Sequence, residues 1–174
     1  MHEYKLGMFG GKFMPFHKGH LYCVDEALKW CDRLYLILFV NGKDEDGIIQ
    51  SYAQRASGGE YDWLKLMPDA RWKKVQEIAA RYNGRVIPLY VDVSSCRTED
   101  GKEDWEAETP LVLNACTDGM FDVVFGSEES YRSYFEKAYP QAIFHIIDPK
   151  RNTVPISATK VRNMTEEEAK GWMV

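Results

Sequence analysis

An unbroken apolar run extends from Leu34 to Val40. A strand with one face in water alternates apolar and polar residues, whereas a continuous apolar run is typical of a strand covered on both faces. Shorter strand patterns occur at Tyr4 to Gly10, Val86 to Val91, Asp122 to Phe125 and Ala142 to Ile147. The chain is therefore expected to build its core around a buried sheet.

Helical patterns fill the segments between these strands. Apolar residues recur at helical spacing from His20 to Cys31 and from Pro68 to Tyr82. Further helices are predicted to open at Thr109-Pro110, at Glu128 and at Ser157, with Thr109 as an N-cap and Pro110 as the first helical residue. This alternation predicts an α/β fold with a doubly wound parallel sheet and helices on both faces. Ligands bind such sheets at the carboxyl ends of the strands.

Length and composition set the expected organisation. The 174 residues predict a single domain spanning 1–174, with long loops at about 41–66 and 92–108. No apolar run approaches the length of a membrane span, and the first residues lack the layout of a signal peptide. The expected location is cytoplasmic, with no membrane partner.

Charge and cysteine content limit the classes of partner. A net charge of -5 argues against a broad nucleic-acid surface, which requires a basic face. The four cysteines show neither a C-x-x-C pair nor a histidine at zinc-finger spacing. They are therefore expected to be reduced structural thiols, and no protein-held metal is predicted.

A glycine-rich segment stands where the first strand passes to the first helix. It includes Gly10, Gly11, Lys12, Phe13, His17, Gly19 and His20. Backbone N–H groups at a helix start bind anions, and glycines let the backbone approach a ligand closely. If the helix begins near Lys18, His17 and His20 lie together on one face, where they and Lys12 suit the charge of a departing phosphate group. Phe13 is expected to anchor the loop.

A second polar group occurs near the C-terminal end of the sequence. Ser157 is expected to cap a helix, and its neighbours Thr159, Lys160 and Arg162 provide a hydroxyl and two cations. Thr159 and Arg162 are three positions apart and share a helix face. This group predicts a second phosphate clamp.

Together these segments resemble the nucleotidylyltransferase superfamily. The first matches its H-x-G-H signature, and Ile156 to Arg162 matches I-S-x-T-x-x-R, in the same order along the chain. The resemblance extends from Tyr4 to about Met164. It implies a Rossmann-like domain that binds a nucleoside triphosphate with magnesium, and direct attack of an acceptor phosphate on the α-phosphate. Magnesium is expected to travel with the nucleotide phosphates.

Three details resemble one branch of this superfamily, the nicotinamide mononucleotide (NMN) adenylyltransferase domain of bifunctional bacterial NAD-biosynthesis proteins. They are Gly11-Lys12-Phe13, Val124 to Glu128 and Asp148 to Arg151. That branch has Thr-Ser-Glu after its fourth strand. Here Gly126 stands in place of the Thr, and Ser127 is expected to contact the nucleotide.

The acceptor site is predicted from side-chain chemistry. A nicotinamide ring favours an aromatic platform, for which Trp63 and Trp105 are candidates in the two expected loops. Arg71 is a candidate for the acceptor phosphate, although a solvated helix face would explain it as well.

Several alternatives stay open at this stage. The expected substrates are ATP and a small phosphorylated acceptor, which could also be phosphopantetheine, or a polyol phosphate used with CTP. A class I aminoacyl-tRNA synthetase fragment carries a related H-x-G-H loop, and a non-catalytic ATP- or NAD-binding sensor would keep both motifs. A homo-oligomer is compatible with the sequence.

Overall fold

The computed structural model describes residues 1–55 and 62–174. Five strands form one parallel sheet in the order β3-β2-β1-β4-β5. The strands are β1 Tyr4–Gly11, β2 Cys31–Val40, β3 Val86–Asp92, β4 Val123–Gly126 and β5 Ile143–Ile146. The strand order reverses between β1 and β4, which confirms the predicted doubly wound, Rossmann-like sheet.

Helices cover both faces of this sheet. They are α1 Lys18–Ala27, α2 Gly42–Arg55, α3 Pro68–Ala80, α4 Trp105–Ala115, α5 Arg132–Ala138, α6 Ala158–Arg162 and α7 Glu166–Lys170. Val24 of α1 and Val75 of α3 belong to the core on one face. Val112 of α4 belongs to the core on the other face, and Phe135 of α5 packs against it.

The apolar run of β2 lies in the middle of the molecule, as predicted. Leu34, Leu36 and Leu38 are fully buried in the core with α1 and α3, whereas Tyr35 and Ile37 are fully buried in the core with α4 and α5. Successive side chains of a strand point to opposite faces, so a strand with both faces covered must be apolar throughout. Full burial of such a side chain contributes roughly 1.5–3 kcal/mol.

The expectation of a loop over 41–66 is wrong for most of that segment. Helix α2 occupies Gly42–Arg55 and a 3-10 turn occupies Trp63–Leu66, while 56–61 lie outside the described residues. Asp44 and Glu45 stand in the first turn of α2, where negative charge complements the helix dipole. Ile49 is buried on its inner face. The Gly- and Asp-rich composition of this segment concealed a helix with one apolar face.

The segment 92–108 ends earlier than predicted, because α4 begins at Trp105. Asp104, not Thr109, is its N-cap, and the Asp104 side chain accepts a hydrogen bond from the backbone N–H of Ala107. Pro110 consequently lies inside the helix rather than at its first position. The acidic residues Glu106 and Glu108 of the first turn favour the earlier start.

The C-terminal residues pack against the glycine-rich segment. Thr165 and Glu168 form a capping box at the start of α7, and the backbone N–H of Lys18 donates to the carbonyl of Trp172 at 2.9 Å. His17 and Met173 form an isolated antiparallel bridge. The end of the described chain therefore supports the start of α1.

All four cysteines are buried and unpaired, in agreement with the prediction of structural thiols. Among the helices of the described residues, none has the length and apolar character that crossing a membrane requires.

Candidate active site

Two histidines form the start of α1, as their spacing predicts. His17 is the N-cap, and its Nδ1 accepts a hydrogen bond from the backbone N–H of Gly19 at 3.1 Å. Nδ1 of His20 in turn accepts from the backbone N–H of His17 at 3.2 Å. The two rings stack with their centroids 3.7 Å apart. A backbone N–H can only donate, so both Nδ1 atoms are acceptors and each neutral ring carries its proton on Nε2.

Burial keeps both rings neutral. It is the largest cause that lowers the pKa of His17 to about 4, and the positive charge of Arg151 adds to it. Burial also lowers the pKa of His20 well below its usual value, helped by the charges of His17 and Arg151. At neutral pH the pair therefore provides two Nε2–H donors without a fixed charge of its own.

Gly19 is required by the closeness of the His17 ring. A Cβ atom at this position would lie 2.9 Å from Cε1 and 3.0 Å from Nδ1 of His17. The glycine of the H-x-G-H pattern thus leaves space for the capping imidazole, which is a steric role that the motif alone does not reveal.

A polar cleft of about 340 Å³ opens beside the histidines. Its lining comes from α1 and its N-cap, from the residue after β4, and from the segment that connects β5 with α6 together with the first residues of α6. It comprises His17, Gly19, His20, Tyr22, Cys23, Ser127, Ile147, Asp148, Arg151, Val154, Ile156, Ser157, Ala158 and Thr159. The structure thus brings together residues of both motifs and Ser127, which were predicted to bind a nucleotide. Asp148 and Arg151, which belong to a segment that resembles the NMN adenylyltransferase branch, line the same cleft.

The segment after β5 is shaped by Asp148. Its carboxylate accepts hydrogen bonds from the backbone N–H groups of Asn152 at 2.9 Å and Thr153 at 3.0 Å. This turn directs the chain back towards the cleft, and Arg151 has a positive φ of 51° within it. Arg151 consequently lines the cleft beside the histidines, with its Nη2 3.5 Å from Oε1 of Glu128.

The second motif contacts the first through Arg162. Its Nη1 donates to the carbonyl oxygen of Met14 at 2.7 Å, and its Nη2 donates to Oγ1 of Thr159 at 3.2 Å. Nε of Arg162 is buried without a hydrogen-bond partner among the described residues. Ser157 caps α6 as predicted, accepting from the backbone N–H of Lys160 at 3.2 Å, while the Lys160 side chain is exposed.

A second cleft, of about 370 Å³, lies on the side of the sheet that α4 and α5 cover. It is lined mainly by aromatic residues and by the end of β1, and comprises Gly10, Gly11, Lys12, Phe39, Glu103, Trp105, Glu108, Tyr131, Tyr134, Phe135 and Tyr139. The Trp105 ring lies 5.0 Å from that of Tyr134, centroid to centroid. Trp105 is thus part of an aromatic wall, as a ring platform requires.

Lys12 faces this aromatic cleft rather than the histidines. Its Nζ lies 3.8 Å from Oε2 of Glu103, and 40% of its side chain is exposed. Gly10 and Gly11 line the same cleft, and a Cβ atom on Gly11 would lie 2.9 Å from the Phe13 ring. Phe13 itself is buried in the core and anchors the loop, as predicted.

Two predicted acceptor residues lie elsewhere. Trp63 packs against the small core that contains Leu66 and Met14, and it lines neither cleft. Arg71 is 2% exposed and forms a buried ion pair with Glu45. Its guanidinium is therefore paired with Glu45 and lines neither cleft, and the alternative of a solvated helix face is wrong because the side chain is buried.

Arg71 instead supports the glycine-rich segment from behind. Its Nη1 donates to the carbonyl oxygen of Lys12 at 2.8 Å, and its Nε donates to that of Leu66 at 2.8 Å. This supporting role of Arg71 could be predicted only if helix α2 were predicted first, because α2 provides the buried partner Glu45.

The glycine at the end of β4 has a packing cause. A Cβ atom on Gly126 would lie 2.9 Å from the Phe144 ring. Threonine at this position would therefore require Phe144 to move.

Among its described residues, the structure offers no protein cage for a metal ion. Across 1–55 and 62–174, no group of three or more His, Cys, Asp and Glu side chains could hold one. The described residues do not fit a metal bound by the protein alone.

A Rossmann-like sheet with a histidine-lined polar cleft at its strand-order reversal defines a nucleotidyltransferase of the H-x-G-H class. The chain belongs to the cytidylyltransferase-like family, whose profile matches residues 8–164.

Solved structures share this fold at low sequence identity. A NadR protein in complex with NAD and AMP-PNP is 18% identical over 91% of this chain and 42% of its own, with a TM-score of 0.61. A NadR protein in complex with NR is 17% identical over 97% of this chain and 43% of its own, with a TM-score of 0.70. A bifunctional NMN adenylyltransferase/ADP ribose pyrophosphatase from Francisella tularensis is 17% identical over 98% of this chain and 44% of its own, with a TM-score of 0.53. The chain thus spans less than half the length of each.

Proposed function

We propose that this nucleotidyltransferase is an NMN adenylyltransferase, which transfers AMP from ATP to NMN and releases NAD and pyrophosphate. The observation that carries the proposal is the pairing of two unlike clefts at the carboxyl end of β1. One is polar and contains the neutral histidine pair with Arg151. The other is aromatic and contains Trp105, Gly11 and Lys12. A nucleoside triphosphate suits the first cleft, and a phosphorylated aromatic acceptor suits the second.

The proposed reaction is a direct displacement. An oxygen of the NMN phosphate attacks the α-phosphorus of ATP; a new P–O bond forms, and the bond to the bridging oxygen of pyrophosphate breaks with its electrons. The chain contributes alignment of the two substrates and stabilisation of charge on the leaving group. No covalent enzyme intermediate is involved.

The histidine pair is proposed to stabilise the departing pyrophosphate. The Nε2–H groups of His17 and His20 donate to phosphate oxygens, and the backbone N–H groups at the start of α1 add their dipoles. Arg151 provides a full positive charge on the same side. Lys12 neutralises the acceptor phosphate from the other cleft, and Arg162 keeps the two motifs in register.

The fold neighbours support this substrate pair through what they contain. One NadR structure contains NAD and AMP-PNP, and a structure of the Francisella protein contains AMP and a manganese ion. A divalent ion, which we propose to be Mg²⁺, would travel with the nucleotide phosphates and neutralise their charge. The roles proposed for the histidines, the arginines and Lys12 do not depend on this ion.

Acceptor profiling tests the proposal. Pyrophosphate release is measured with ATP and Mg²⁺ in the presence of NMN, phosphopantetheine or glycerol phosphate, and each product is identified by mass. NAD from NMN, with little release from the other acceptors, is the expected result. Release from another acceptor alone would retain the family and overturn the substrate.

A nucleotide comparison completes the profile. ATP and CTP are compared with each acceptor, because a cytidylyltransferase would require CTP. Binding of ATP without pyrophosphate release from any acceptor would favour a sensor.

A further inference from the structure

Glu108 is a buried carboxyl group in the aromatic cleft that the proposed mechanism leaves unused. The residue is 9% exposed and lines the cleft together with Trp105, Tyr131 and Tyr134. Its Oε1 is buried and has no hydrogen-bond partner among the described residues. An unpaired buried polar atom is unfavourable, so a ligand that pairs with it gains affinity.

The surroundings favour the neutral acid. Burial, as the largest cause, raises the pKa of Glu108 to about 8 together with a hydrogen bond to the Glu103 side chain and the charge of Glu103. The nearby charge of Lys12 acts in the opposite direction. At neutral pH the carboxyl is therefore mostly protonated, with one O–H donor and one carbonyl acceptor.

We infer that Glu108 selects the acceptor by pairing with a carboxamide on its aromatic ring and by disfavouring a carboxylate at that position. This inference rests on the proposed function, and it names the group that distinguishes NMN from nicotinic acid mononucleotide. The carboxyl proton of Glu108 is held in its hydrogen bond with Glu103, and the unpaired Oε1 accepts an N–H from the amide nitrogen. This hydrogen bond forms within the aromatic wall.

A carboxylate cannot complete this pair. It has no N–H to donate, so one oxygen of Glu108 would face another oxygen and stay unpaired. The negative charge of Glu103 on the same side is offset by Lys12, whose Nζ lies 3.8 Å from Oε2 of Glu103. Rejection thus arises from the lost hydrogen bond.

Glu108 could instead serve only to stabilise helix α4. Glu108 lies in the first turn of α4, where an acidic residue stabilises the helix end. In that case its replacement would change the stability of the protein and not the choice between the two acceptors.

The test measures kcat/KM for NMN and for nicotinic acid mononucleotide, at saturating ATP, in three proteins. They are the wild type, Glu108→Gln and the matched control Glu106→Gln, which alters an exposed carboxylate of the same turn. The wild type is expected to prefer NMN by about 10- to 100-fold. Glu108→Gln is expected to narrow this preference to about threefold or less, because its NH₂ group can donate to a carboxylate. Glu106→Gln should keep the wild-type ratio.

Each other outcome overturns a defined part of the account. Similar kcat/KM values for both acceptors in the wild type, or a preference that persists in Glu108→Gln, would refute the role of Glu108 and retain the proposed function. Turnover of neither acceptor by a wild type that binds ATP would refute the proposed function and this inference with it. Calorimetric affinities of the wild type for the two acceptors provide a readout that needs no variant, and equal affinities would also refute selection by Glu108.

Discussion

Nη1 of Arg162 donates a hydrogen bond of 2.7 Å to the carbonyl oxygen of Met14, 148 positions earlier in the chain. Met14 lies between the glycines and the histidines of the first motif, so this contact joins the two motifs directly. Arg162 lies beside the polar cleft and positions its lining residue Thr159. We therefore expect Arg162 to act partly by holding the glycine-rich segment in place.

Arg162→Ala should lower both nucleotide affinity and kcat, each by about tenfold or more, because a hydrogen bond from a charged group contributes about 1.5–3 kcal/mol. Arg162→Lys should recover part of the loss, since a lysine reaches one acceptor but not two. Calorimetry with ATP and steady-state kinetics measure these changes. Lys170→Ala, which removes an exposed cation of α7, is the control. Unchanged affinity and rate in Arg162→Ala would exclude the second motif from the site.

His20→Ala should lower kcat by about 100-fold or more through loss of a donor to the leaving group. The fold should persist, because the core on this face depends on other side chains, and thermal unfolding measures this. Near-normal turnover in a folded variant would remove His20 from its proposed role.

The capping and chemical roles of His17 can be separated. Asparagine is a good N-cap residue, so His17→Asn should keep most of the stability while losing the Nε2–H donor and therefore turnover. His17→Ala should lose turnover and also about 1 kcal/mol of stability. If the two variants had equal stability, the imidazole would contribute nothing to the helix start.

The stability of the folded protein should fall on acidification because of His17. The pKa of His17 is about 4 in the folded protein and about 6.5 in the unfolded chain, so between these values the unfolded chain binds more protons. The free energy of unfolding should therefore decrease as pH falls from about 6.5 to about 4, by up to about 3 kcal/mol from this group. His20 contributes with the same sign.

Urea unfolding of the wild type and of His17→Asn, at pH values between roughly 4.5 and 6.5, measures this contribution. In that range the folded and unfolded states differ in the protonation of His17. The variant should lose less stability than the wild type over that range. Parallel pH profiles would mean that His17 is not held neutral by the fold.

Glu108 contributes to the pH dependence with the opposite sign, because its raised pKa makes stability decrease as pH rises towards about 8. This contribution is the same in the wild type and in His17→Asn.

Two glycines give a matched comparison of steric effects. An alanine Cβ at position 19 would lie 2.9 Å from the His17 ring, so Gly19→Ala should displace that ring and lower kcat by about tenfold or more. Gly47 lies within α2, where an added Cβ meets nothing within 4 Å. Gly47→Ala should keep full activity and increase stability by about 0.5–1 kcal/mol. Equal activity in both variants would show that the position of His17 does not matter.

The sequence predicts features that depend on local patterns. The apolar run of β2, the spacing of His17 and His20 and the capping residue Ser157 each act through neighbours in the chain, and the structure confirms all three. Such features follow from strand periodicity and helix geometry alone.

Features that depend on distant partners were not predictable in this way. Arg71 is buried because α2 supplies Glu45, and the composition of 41–66 indicated a loop. The aromatic cleft requires α4 and α5 to bring Glu108 and Tyr134 to the end of β1, and no local pattern links those segments. Trp105 is a candidate from sequence because a ring platform requires an aromatic side chain, whereas the carboxyl group of Glu108 in the same cleft belongs to no motif.

The most direct test of the central claim is a quenched time course of ATP with NMN, in which NAD and pyrophosphate are both quantified. The proposed direct transfer predicts that the two products appear together in equal amounts, and that His20→Ala slows both by about 100-fold without uncoupling them. Pyrophosphate or ADP formation without NAD, or binding of ATP with no product at all, would contradict the proposal that this chain is an NMN adenylyltransferase.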